Sequence, residues 1–199
     1  MSILTYAELK KRLKKDLIIT PLLEPDKQIG PGSIDLRLGT KFIIMKETEF
    51  TQLYPPEITE YKIRQYQYKI YKKIGEDIIL HPGHLVLGCT LEYICLPEDL
   101  CAYVLTRSRW GRVGLIIATA IYVHPYWKGC LTLEMFNYGR TPLKIPCGTS
   151  IAQLVIQKVK EKSFPPTLKT KLSMFPTGPV FVNLKEETDW QKLEQIKEV

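Results

Sequence analysis

Residues 107–112 read Arg-Ser-Arg-Trp-Gly-Arg and place three guanidinium groups, a hydroxyl and a glycine within six positions. Guanidinium and hydroxyl donors match the oxygens of a phosphate group, and several of them on one tight turn can grip a polyphosphate at more than one oxygen. The same composition suits a basic hairpin tip that merely stays solvated, and the segment by itself leaves both readings open. A second candidate is Glu134, in the run Gly-Cys-Leu-Thr-Leu-Glu-Met-Phe-Asn over residues 129–137; it is the one acid between Asp99 and Glu161. In a half-buried strand Leu131, Leu133 and Met135 face one side while Thr132, Glu134 and Phe136 face the other. A carboxylate so placed either stands in solvent on an outer sheet face or, when partly desolvated, moves protons near neutral pH as a general acid and base.

Other catalytic signatures are missing. The sequence has no Walker loop, no Gly-x-Gly-x-x-Gly, no His-Glu-x-x-His and no Gly-x-Ser-x-Gly. It also lacks the His-x-Glu and Pro-Cys-x-x-Cys pieces that zinc deaminases use to activate water, so any deamination is expected to run without zinc. His81, His84 and His124 are too few and too scattered to suggest a metal centre. The five cysteines form no Cys-x-x-Cys pair and sit in apolar runs or turns, which predicts reduced, mostly buried thiols.

These side chains need elements to hold them. At 199 residues, 45% hydrophobic and 25% charged, the chain suits one domain with a proper core, 1–199. Thr5 and Glu8 form a capping box that predicts a basic helix over about residues 5–16, whose charges at 11, 12, 14 and 15 read as a solvated face. Beyond it the pattern is all-β: SIDLRL, KFIIM, YKIRQYQYKIYKK, DIILHPG, LVLGCTLEYICL, AYVLTR, LIIATAIYV, GCLTLEMFN, TPLKI, SIAQLVIQKV and PVFVNL read as strands of a sandwich, jelly roll or barrel. A core of about 1–160 is followed by a proline-containing arm, and Trp190, Leu193 and Ile196 have the spacing of a terminal amphipathic helix within 161–199. No apolar run is long enough to span a membrane and the N-terminus does not read as a signal peptide, so a cytoplasmic place is expected. The net charge of +7 admits a nucleic acid, an acidic membrane surface or a nucleotide triphosphate as partner.

Four ordered blocks choose among these. GSIDLRLG from residue 32, RSRWGRVGL from 107, HPYWKGCLTLEMFN from 124 and GTSIAQLV from 148 resemble the trimeric dCTP deaminase and dUTPase family, most closely the dCTP deaminases. The resemblance runs over about residues 1–160. It implies a distorted jelly roll of the β-clip, dUTPase-like type with a short N-terminal helix and a C-terminal arm. It further implies a homotrimer with active sites between subunits, dCTP and dUTP as ligands with dTTP as a further candidate, and Mg2+ held through the substrate triphosphate. The implied reaction is hydrolysis of the 4-amino group of dCTP to dUTP and ammonia.

Carried onto this sequence, the family's arginine-serine turn falls on Arg107, Ser108, Arg109, Trp110, Gly111 and Arg112. Its catalytic glutamate falls on Glu134, with Ser108 and Arg112 as catalytic partners and Thr132 and Leu133 beside the base. Thr119 and Ala120 match the backbone framing the cytosine, Gln153 the glutamine of an Ala-Gln-Leu strand, and Lys171 the lysine of the closing arm. This sequence departs from the family at three places. His124 stands where many members carry an aspartate linked to diphosphate release, so deamination is expected to stop at dUTP. Arg109 replaces a second serine, and the arm lacks the family's Tyr and Gln. A dUTP diphosphatase, a bifunctional deaminase-diphosphatase and a non-catalytic nucleotide-binding trimer remain as alternatives. No nucleic-acid or membrane partner is expected, because the best basic cluster is already accounted for by a triphosphate.

Overall fold

A computed structural model describes residues 2–46, 52, 59–118, 120–160 and 176–179. Helix α1 (Tyr6–Leu13) starts at the capping box: the Thr5 amide and hydroxyl both lie 3.0 Å from Glu8 Oε2. Of its expected solvated charges, Arg12 is an exception. Its guanidinium is held between Asp16, at 2.7 Å, and Asp99, at 2.6 Å, which fastens α1 to a loop 87 residues away.

The strands are β1 (Ile18–Thr20), β2 (Ile34–Arg37), β3 (Lys41–Met45), β4 (Gln67–Tyr71), β5 (Asp77–Leu80), β6 (Leu85–Cys95), β7 (Leu100–Thr106), β8 (Leu115–Ile117), β9 (Tyr122–Val123), β10 (Lys128–Asn137), β11 (Leu143–Pro146) and β12 (Ser150–Lys158). One sheet runs β4-β3-β6-β10-β8 with β1 also on β6, a second runs β2-β12-β7-β9, and β11 pairs with β5. Every pairing is antiparallel. One apolar cluster joins the two large sheets, taking Leu36, Val104 and Leu154 from one and Phe42, Ile94, Leu133 and Met135 from the other. Each such side chain contributes about 1.5–3 kcal/mol on burial.

Two strand expectations are corrected. The tyrosine-rich stretch is half helix, α3 (Glu60–Tyr66), because the Thr59 hydroxyl caps the Lys62 amide; only residues 67–71 ladder onto β3. LIIATAIYV breaks into β8 and β9, which belong to different sheets. β1 was not anticipated, and two further helical turns appear, α2 (Pro25–Gln28) and α4 (Ser108–Gly111). The expected PVFVNL strand beyond Pro179 and the terminal helix lie outside the described residues. Within the arm, Pro176 accepts the Cys130 amide at 2.8 Å, and Lys41 Nζ reaches Thr177 Oγ1 at 3.2 Å. Pro176 lies where a Cβ on Gly129 would stand, at 2.5 Å, so glycine is what lets the arm meet β10.

Candidate active site

The arginine segment is not a hairpin tip. β7 and β8 lie in different sheets, and α4 bridges them as a single helical turn. Its frame is fixed by backbone and indole: the Arg107 amide donates to Ile151 O at 2.9 Å, and the Trp110 indole N–H donates to Ser150 O at 3.1 Å. Trp110 also packs against the core, which anchors the turn. Ser108, Arg109, Gly111 and Arg112 are exposed. The half-buried Arg107 points Nη1 at Asp35 Oδ2, 2.7 Å away on β2. Burial pushes the Asp35 carboxyl above its ordinary range, while Arg107, Arg109 and Arg37 oppose the shift. Gln153 on β12 is half-buried and pairs with Asp35 on one side and Leu105 on the other.

Glu134 lies on β10 with the expected alternation: Leu131, Leu133 and Met135 are buried, and Thr132, Glu134 and Phe136 are half-buried. The buried face of the strand is what fixes this carboxylate on the other. Leu133 is fully buried. The Glu134 carbonyl accepts the Ala118 amide at 2.8 Å, which ladders the end of β8 to β10 at this residue. Ala120 is exposed; Thr119 and Lys171 lie outside the described residues. His124 is exposed, its ring edge-on to Tyr122 at 4.7 Å between centroids.

Two groupings result. Arg107, Arg109 and Gln153 gather round Asp35, and Thr132 with Glu134 stand on β10. Leu115, where α4 leads into β8, pairs with Asn137, three residues from Glu134, a step of about 10 Å along a strand. Clefts of about 340 Å³, lined by Lys41, Tyr71 and Pro176, and about 470 Å³, lined by Lys11, Arg12 and Asp99, lie elsewhere. No helix among the described residues is long and apolar enough to cross a membrane, and the described residues hold no group of three or more His, Cys, Asp or Glu arranged for a metal. Four of the five cysteines are buried and all are free.

Sequence reasoning passed over Asp35 and the buried set around Glu92. Glu92, fully buried on β6, accepts the Arg37 amide at 2.8 Å and the Gln28 amide nitrogen at 3.0 Å, and the Arg37 guanidinium meets both Gln28 and Glu92. Desolvation pushes its carboxyl up against the pull of Arg37. The available signal was the alternation of β2, which puts Asp35 and Arg37 on its less buried face opposite Ile34 and Leu36.

The architecture is that of an all-β domain built on two large antiparallel sheets. A solved dCTP deaminase from Agrobacterium tumefaciens shares it at a TM-score of 0.58 and 22% identity over 77% of this chain; this chain spans 46% of that one. Residues 3–159 match the family model described as dCTP deaminase-like, and the chain belongs to that family. A protein named dCTP deaminase from Natronomonas pharaonis is 37% identical over 89% of this chain and 92% of its own length. One named dCTP deaminase, dUMP-forming, from Dictyoglomus thermophilum is 37% identical over 84% of this chain and 86% of its own.

Proposed function

We propose that this chain is a zinc-independent dCTP deaminase that converts dCTP to dUTP and ammonia through Glu134, in the dUTP branch of deoxynucleotide metabolism. The observation that carries the reading is a half-buried glutamate, the one acid between Asp99 and Glu161, whose side chain lies on the less buried face of β10 and whose backbone is laddered to the segment after β8. Water attacking C4 of cytosine gives up one proton, which passes to N3, and the resulting C4 hydroxyl gives up the second, which passes to the amine as the C4–N bond breaks; one carboxylate can carry both transfers. Ser108 and Arg112 supply donors for charge on the tetrahedral intermediate. Arg107 and Arg109 take phosphate oxygens, whose binding energy positions the base. Thr132, Gln153, Ala120 and Thr119 line the nucleoside, His124 stands near the phosphates, and Lys171 comes from the arm.

Because α4 and Glu134 are separated along the sheet, the reading includes a homotrimer in which one subunit's turn meets another's carboxylate. Leu105, Val113, Ile116, Ile121 and Tyr122 are exposed apolar side chains flanking both groupings and supply a surface for that contact. Mg2+ belongs on the substrate's phosphates: the carboxylate beside the turn, Asp35, is engaged by Arg107, so the described residues provide no oxygen cage there. A reducing, cytoplasmic setting suits the free cysteines.

A second reading, a bifunctional enzyme releasing diphosphate and dUMP, is favoured by the name of the Dictyoglomus thermophilum relative. His124 weighs against it, since an imidazole cannot supply the fixed negative charge of an aspartate. Incubating chelator-treated protein with dCTP and magnesium, with Glu134→Gln alongside, tests both. Ammonia and dUTP that vanish in the variant support the proposal. Diphosphate and dUMP move the chain to the second reading, and nucleotide binding without either product would leave a non-catalytic trimer.

A further inference from the structure

Arg107 has a partner that the reaction scheme does not use. Its backbone is already fixed by Ile151, and the turn it begins is anchored by Trp110, so the position of the chain does not depend on Asp35. What the Asp35 carboxylate adds, at 2.7 Å, is a fixed direction for the guanidinium. Both side chains are largely withdrawn from water, at 19% and 24% exposure, which strengthens the contact beyond that of a surface pair. The sheet explains the meeting: Asp35 on β2 pairs with Gln153 on β12, which pairs with Leu105 on β7, and Arg107 follows two residues later on the same face. The neighbouring Arg37 is committed to Glu92, and residues 107–112 contain no acid.

We propose that Asp35 is a positioning residue for the triphosphate: it aims Arg107 so that the remaining donors of a planar fork meet phosphate oxygens in one geometry. This rests on the reading of the arginine turn as the phosphate site. The direction of the effect separates positioning from simple charge. Asp35→Asn leaves the turn more positive, which alone tightens binding of a polyanion; loss of aim weakens it.

The test is KM and kcat for dCTP in wild type, Asp35→Asn and Asp35→Glu, with dCTP and deoxycytidine affinities measured by calorimetry in the Glu134→Gln background. The expected result is a roughly tenfold rise in KM and in the dCTP dissociation constant for Asp35→Asn, with kcat changed less, deoxycytidine affinity unchanged and partial recovery in Asp35→Glu. An Arg107→Gln background abolishes the effect. Unchanged or tighter dCTP binding, or an equal loss for deoxycytidine, overturns the proposal. Should Asp35→Asn not fold, Asp35→Glu carries the comparison, and wild-type affinity there overturns it. If wild type binds dCTP without deaminating it, the functional reading fails while the affinities still judge Asp35.

Discussion

At the scale of single residues, Glu8 shows how one side chain serves two ranges of contact. It completes the capping box with Thr5 and also receives Lys158 Nζ at 2.6 Å, tying α1 to the end of β12. The Lys158 contact, and then the Thr5 donors, hold the Glu8 carboxyl at about 2 against an ordinary 4.5. Because the folded value is depressed, the stabilisation is complete above about pH 4.5 and is lost as pH falls toward about 2. Melting temperatures followed across that window are expected to separate wild type from Glu8→Gln at neutral pH and to converge near pH 2. A constant offset would show that the capping geometry and not the charge matters. The cap was legible from Thr5 and Glu8 because it is local; the lysine 150 residues on was not.

Among the elements, β10 carries the candidate chemistry. A bulge between Cys130 and Thr132 leaves the Leu131 amide without a strand partner, and the buried Thr90 hydroxyl accepts it at 2.9 Å. At the other end, Gly114 has φ +100°, and a Cβ there would stand 2.6 Å from the Gly139 nitrogen. This close crossing sets where α4 ends relative to Asn137, and so where Arg112 stands. Gly114→Ala is expected to cost about 2 kcal/mol or more and to raise KM for dCTP; calorimetric melting and steady-state kinetics check the two parts separately. The β10 alternation was readable from sequence since side-chain direction repeats every second residue. The helix-to-strand change at residue 67 was not, because the cap at Thr59 competes with a strand pattern that looks sound up to Tyr71.

For the whole molecule, the proposed homotrimer, in which one subunit's turn meets another's carboxylate, makes assembly a testable condition of activity. Sedimentation is expected to give three times the 23.0 kDa of one chain. Ile121→Lys, placing a charge on the exposed apolar side chains beside β7 and β9, is expected to yield smaller species with little deaminase activity. A fully active monomer would show that one chain closes its own site.

The sequence by itself determined the all-β class, the cap of α1, the burial alternation around Glu134 and the family, because these rest on local spacing and ordered motifs. Only the tertiary structure decided that the arginine turn joins two sheets, that Arg12 answers Asp99, that Glu92 is buried with Arg37 and Gln28, and that Asp35 faces Arg107. Those outcomes depend on which distant strands pair and in what register, and pairing energy comes from partners that local periodicity cannot name.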